Sequence, residues 1–232
     1  MPGVPSDPSW PLAGIPPRLY GRRRGHRLRA RQARLLAETL PRLTYRDLDF
    51  AAGAPALWLE VGFGGGEHTL ALMAAHPEVA IIASEVYEQG LCSLLGRLVP
   101  EGEEATAPLP PRLRLWPHDA RELLLTLPRG SLDGLFLMFP DPWPKARHAK
   151  RRFVHPAMLP VVHAALKPGG FWRIATDDPT YQAWVEEVLR PSPLFTAPPP
   201  ARTRPPGWPP TRYEAKAIAA GREPLYWEWR RP

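Results

Sequence analysis

Cysteine is almost absent from this chain of 232 residues, with Cys92 standing alone. A single thiol excludes an internal disulfide and any cysteine-based zinc cluster within one chain, and it suits a reducing compartment such as the cytoplasm. Long apolar runs are missing too. No segment approaches the roughly 20 apolar residues of a membrane span, so no membrane association is expected. The first seventeen residues hold six prolines and no continuous apolar stretch of the kind a secretory leader carries. Lysine is scarce, at four residues, so arginine supplies nearly all of the 30 Lys+Arg cations. Against 23 Asp+Glu they leave a formal net charge of +7, a balance that favours an anionic partner without identifying it. His26, His148 and His155 lack ligand spacing, and no cysteines accompany them, which argues against a metal site.

What is present suffices for one large α/β domain. Apolar residues make up 44% of the chain, and its 18 glycines and 33 prolines stay below the proportion that marks low complexity. A basic, Pro-rich tail is expected over 1–27, followed by a single domain over 28–232. Within that domain strands and helices alternate. Strands are expected at 57–61, 79–84, 113–116, 132–139 and 171–175, with a last one near 225–229. Helices are expected at 28–40, ended by Pro41, and at 66–76, 87–98, 121–127, 153–166 and 181–189. Such alternation predicts a mostly parallel twisted sheet with helices on both faces. Nine prolines between 191 and 210 predict a stiff, extended loop tethered at both ends.

Glu60, Glu85, Asp119, Asp141 and Asp177 each fall at or just beyond the carboxyl end of a successive predicted strand. Ligands of open α/β sheets bind at those ends, so five acids there point to one crevice. Asp119 or Asp178 also suits a helix N-cap. The run Glu60-Val-Gly-Phe-Gly-Gly-Gly66 is a glycine-rich nucleotide loop, yet Glu67 stands where a dinucleotide fingerprint needs its third glycine. Glu60 and Glu67 would oppose a pyrophosphate. A cationic ligand without phosphate fits better, and S-adenosylmethionine is one. Glu85 is placed to accept its ribose hydroxyls, and Asp119 its adenine amino group.

Residues 139–152 read Phe-Pro-Asp-Pro-Trp-Pro-Lys-Ala-Arg-His-Ala-Lys-Arg-Arg. Three prolines stiffen a turn that presents Asp141 and Trp143, and Lys145, Arg147, Lys150, Arg151 and Arg152 follow directly. A carboxylate beside a cation run suggests a chemical site against a polyanion site. Eight further arginines lie between Arg18 and Arg34. Both clusters suit phosphate contacts, which supply affinity rather than sequence choice.

These motifs, with Asp119-Ala120, Leu166-Lys-Pro-Gly-Gly170, Ala175-Thr-Asp177 and Thr211-Arg-Tyr-Glu214, resemble the bacterial tRNA (guanine-N7-)-methyltransferase family over about residues 18 to 222. The resemblance implies a Rossmann-like class I methyltransferase fold that methylates N7 of guanosine 46 in the tRNA variable loop. It implies cofactor contacts at Glu60, Gly62, Gly64, Glu85, Asp119 and Asp141, and substrate contacts at Lys145, Asp177, Thr211, Arg212, Tyr213 and Glu214. tRNA contacts would run through Arg147, His148, Ala149, Lys150, Arg151 and Arg152. Guanine N7 carries a lone pair and no proton, so the transfer needs no general base. Asp141 is therefore expected to act by charge and position. Asp177 and Glu214 are candidates for the N1-H and N2-H₂ edge, with Glu214 favoured because its loop could close over the base. Trp143 or Tyr213 would stack on the base, or simply pack. The residues favour neither a monomer nor a homodimer.

Overall fold

The computed structural model describes residues 23–232. Residues 1–22 of the tail expected over 1–27, with Arg18 and Arg22, lie outside the described residues. Six strands are ordered β3-β2-β1-β4-β5-β6 in one sheet: β1 (Leu57–Val61), β2 (Ala80–Ser84), β3 (Leu113–Trp116), β4 (Leu132–Met138), β5 (Leu166–Thr176) and β6 (Leu225–Arg230). β1 and β3 both pair with β2 in parallel, β4 and β5 pair in parallel, and β6 runs antiparallel to β5. The mostly parallel sheet expected from the strand and helix alternation is observed, in the Rossmann-like arrangement that the family resemblance implied. The described residues cluster into two compact units, 23–120 with 209–212, and 121–208 with 213–232.

In the first unit, β2 is buried along its whole length, as a parallel strand covered on both faces must be. Between these strands lie α3 (Glu67–Ala75) and α4 (Glu88–Leu98). The first helix departs from expectation. Pro41 does not end it: α1 (Ala30–Arg34) passes through a π-helical turn, Leu35–Thr39, into α2 (Leu40–Leu43). The widened turn absorbs the missing proline N–H and its ring clash, so the helix continues. Leu35 and Leu43, at 2% and 1% exposure, anchor it.

In the second unit, α5 (Ala120–Thr126, whose first residue belongs to the first unit) precedes β4. The helix expected at 153–166 is shorter than its apolar pattern suggested. Pro156 and Pro160 reduce it to a 3₁₀ turn, Pro156–Met158, and α6 (Leu159–Ala165). The Lys-Pro-Gly-Gly turn lies inside β5, where the register with β4 shifts between Leu132 and Gly134. α7 (Pro179–Leu189) is capped by Asp178, whose Oδ1 accepts from the Tyr181 amide at 3.0 Å. The proline-dense stretch runs beside β6, bridging it through Thr196 with Arg230 and Ala201 with Tyr226. Its Phe195 packs edge-on to Trp172 and its Trp208 edge-on to Tyr226. α8 (Arg212–Ala219), which the sequence did not announce, follows it.

Candidate functional site

In the first unit, Glu60 is buried at 2% exposure, and a buried carboxylate needs partners. Its Oε1 lies 2.9 Å from Nδ1 of His68, and its Oε2 accepts from the Thr69 hydroxyl at 2.6 Å. Glu60 therefore ties β1 to the first turn of α3 across the glycine loop. Neither His68 nor Thr69 carries a motif; the only sequence signal was two polar residues on a helix face that has to be buried.

The loop itself needs glycine. Gly62 and Gly64 have φ of 74° and 58°, the left-handed region where a side chain is strained. Glu85, one residue past β2, holds the loop in place. Its Oε2 accepts from the Gly64 amide at 2.7 Å, and its Oε1 from the amides of Val86 and Tyr87 at 2.8 and 2.9 Å. Three backbone donors fix this carboxylate more firmly than any side-chain pair would. Gly90 of α4 completes the packing: a Cβ there would meet the Gly64 carbonyl oxygen at 2.4 Å and Glu85 Cγ at 3.1 Å. Sequence reasoning missed Gly90, a glycine in the first turn of α4. The structure thus brings Glu60, Gly62, Gly64 and Glu85 together. Asp119 is half-buried between β3 and α5, and its backbone carbonyl accepts from Trp116 Nε1 at 2.9 Å.

Several charges singled out in the sequence are engaged within the protein. Glu67 pairs with Arg97 at 2.7 Å, which leaves Glu60 and Glu85 as the acidic character of the strand ends. Among the N-terminal arginines, Arg31 donates to the carbonyls of Gly96 and Val99 at the end of α4, and Arg31 and Arg34 both pair with Glu104. Arg23, Arg27 and Arg29 remain exposed. Burial pushes the Cys92 thiol up to about 11, so it is protonated at neutral pH.

In the second unit, β4 delivers the proline-stiffened turn. Phe139 and Trp143 have φ of 52° and 44°, and each precedes a proline. A bulky residue in the left-handed region is strained, and such strain clusters at functional sites. Asp141 is exposed at the tip, and so are Lys145, Arg147 and Lys150. His148, Ala149 and Arg151 are half-buried. The Arg151 guanidinium lies 4.7 Å from the Trp143 ring centroid, and His148 meets that ring edge-on at 5.8 Å. Desolvation first, then the cations Arg151, Arg147, Lys145 and Lys150, lowers the His148 pKa. Arg152 stands apart, buried at 5% exposure with its guanidinium turned inward.

Asp177, just past β5, pairs with Arg222. Glu214, in the first turn of α8, is buried, and its Oε1 accepts from Arg204 Nε at 3.0 Å and from Tyr226 Oη at 2.8 Å. Tyr213 is 43% exposed with Lys216 Nζ 5.8 Å from its ring, Arg212 is exposed and Thr211 is buried. Among the described residues no group of His, Cys, Asp and Glu is arranged to hold a metal ion, and no helix is long and apolar enough to cross a membrane.

A strand opening into a left-handed glycine loop, followed by a strand ending on a carboxylate that grips that loop, is the nucleotide-side architecture of methyltransferases with a Rossmann-like sheet. Consistent with that class, the family described as "Putative methyltransferase" matches residues 55–226. The 16S rRNA methyltransferase KamB superposes with a TM-score of 0.57 at 14% identity, covering 78% of this chain and 90% of its own. The 16S rRNA (adenine(1408)-N(1))-methyltransferase of Catenulisporales acidiphilia gives 0.53 at 17% identity, covering 82% and 96%. At these identities the likeness shows the fold.

Sequence relatives narrow the class. A tRNA (guanine-N(7)-)-methyltransferase of Granulibacter bethesdensis is 60% identical over 96% of this chain and 98% of its own length. One of Rhodospirillum rubrum is 45% identical over 92% and 88%. The chain belongs to the bacterial tRNA (guanine-N(7)-)-methyltransferase family.

Proposed function

We propose that this chain transfers the methyl group of S-adenosylmethionine to N7 of guanosine 46 in the tRNA variable loop, giving 7-methylguanosine. The observation that carries the reading is the turn at 139–144. It sets the exposed Asp141 next to the exposed cations Lys145, Arg147 and Lys150, on the strand end where such folds do their chemistry. The names of the relatives supply the substrate.

The residues of the first unit fit the donor. Glu85, fixed by three amides, is an acceptor suited to ribose hydroxyls. The loop below it, Val61 to Gly66, carries no cationic side chain, which suits a ligand with an ammonium and a sulfonium but no phosphate. Bound there, S-adenosylmethionine supplies an electrophilic methyl on sulfur. Asp119 serves as acceptor for the adenine amino group.

The protein's own part is positioning. N7 has no proton to lose, so no residue acts as a base, and Asp141 favours the positive charge that develops on the purine. Lys145, Arg147 and Lys150 hold phosphates. The two candidate readers of the guanine edge differ in access: the Asp177 side chain is 20% exposed and that of Glu214 is 8% exposed. Direct reading therefore passes to Asp177, while Glu214 anchors α8. Tyr213, 43% exposed, is the stacking platform, because Trp143 is half-buried.

Mass-spectrometric mapping of unmodified tRNA incubated with enzyme and donor tests the reading. A single 7-methylguanosine at position 46 supports it. Methylation elsewhere, or none, refutes it.

A further inference from the structure

Arg152 belongs by sequence to a run of cations, yet its surroundings differ from those of its neighbours. It is 5% exposed, whereas Lys145, Arg147 and Lys150 are open to solvent. Its Nε donates to the carbonyl of Pro142 at 3.1 Å and its Nη2 to that of Trp143 at 3.0 Å. The guanidinium plane lies 4.7 Å from the Trp184 ring centroid. That indole is fixed in turn, since Trp184 Nε1 donates to the Val154 carbonyl at 2.6 Å. Its backbone is held as well, the Arg152 amide donating to the Ala149 carbonyl at 3.0 Å.

The turn it grips is short of means to hold itself. Pro140, Pro142 and Pro144 remove three N–H donors, and Phe139 and Trp143 sit in the left-handed region. A planar fork can satisfy two adjacent carbonyls at once while stacked on an aromatic face; an ammonium cannot. We propose that Arg152 is a positioning residue that clamps the 139–144 turn and so fixes Asp141, and that it makes no phosphate contact in the bound tRNA. Within 147–152, Arg147 and Lys150 thus face phosphates while Arg152 is an inward brace.

The test compares Arg152→Gln and Arg152→Lys with Arg147→Ala and Lys150→Ala. A residue that neutralises a phosphate contributes about 0.7 to 0.9 to the slope of log Kd for tRNA against log salt. Arg147→Ala and Lys150→Ala should each lower that slope by about this amount. Both Arg152 variants should keep the wild-type slope while kcat falls about tenfold to a hundredfold, the loss expected when a reacting group is misplaced by about 1 Å. A slope lowered by Arg152→Gln, or wild-type kcat in Arg152→Lys, overturns the proposal. If the Gln variant does not fold, the Lys variant, which keeps the charge, decides alone.

The kinetic arm rests on the methyl transfer proposed above, so a second readout uses no RNA. Trypsin should cut after Lys145 and Arg147 faster in Arg152→Lys than in the wild type, because the turn loosens. Unchanged cleavage overturns the clamp. Absence of tRNA methylation by the wild type, with faster cleavage in the variant, overturns only the function.

Discussion

Gly90→Ala is an informative perturbation because two tendencies oppose each other at one atom. In a helix interior, replacing glycine by alanine stabilises by about 1 kcal/mol, an upper bound for Gly90 in the first turn of α4. At Gly90 the added methyl would stand 2.4 Å from the Gly64 carbonyl oxygen and 3.1 Å from Glu85 Cγ. To reach even a 3.0 Å approach, the loop or the helix must move by about 0.6 Å. That movement drags the Gly64 amide from its 2.7 Å bond to Glu85. Overpacking of this kind costs about 1 to 3 kcal/mol, so net stability should change little or fall slightly. Donor affinity should fall further, by about tenfold to a hundredfold, since the displaced groups are those proposed to hold the donor. Isothermal calorimetry with S-adenosylmethionine and a thermal melt of the same sample separate the two effects. An alanine variant with a raised melting temperature and wild-type donor affinity would show that the loop does not depend on this contact, and the description of the site would be wrong.

Glu60→Gln should destabilise the fold by about 1 to 3 kcal/mol, measured by urea unfolding, because an amide cannot accept on both oxygens from His68 and Thr69. Wild-type stability would show that those bonds do not hold β1 to α3. Arg204→Ala should raise KM for tRNA several-fold and leave donor affinity unchanged, since Glu214 loses a donor that helps to set α8; an equal loss in both constants would contradict it. Glu186 has its pKa lowered, first by the hydrogen bond from Arg190 and also by Trp227. A depressed carboxylate stabilises above its unfolded value, about 4.3, and that contribution disappears as pH falls through the folded value. Glu186→Gln should therefore be less stable than wild type at pH 7, with the gap closing below about pH 4. A gap constant from pH 7 to 3 would assign the loss to packing.

The parts of the fold legible in the sequence were those in which one short stretch fixes its own geometry. β1 opening into the glycine loop, and Glu85 one residue past β2, needed only an apolar run, glycines and an acid. What the sequence concealed depended on distant partners. Glu60 looked like part of an electrostatic field around a ligand; its two hydrogen bonds to α3 make it a brace. Arg152 counted as one more cation until Trp184, far along the chain, supplied the face that buries it. Pro41 reads as a helix stop, and only a π-helical turn, which has no sequence signature, lets the helix run on to Leu43. α8 followed nine prolines, so its short amphipathic pattern had no context.

The bridges between the proline-dense stretch and β6 bear on how the protein behaves at high concentration. An outermost strand ordinarily exposes a row of unpaired amides and carbonyls, a template on which a second chain can pair. Here Thr196 and Ala201 take up the outer backbone groups of Arg230 and Tyr226, and Thr44 and Tyr45 lie along β3 at Leu115 in the same manner. The covering segment cannot pass the problem outward, because its prolines have no amide to offer the next strand. A stretch that reads as an interruption in the sequence thereby helps to keep a sheet rich in tryptophan from adding strands from its neighbours.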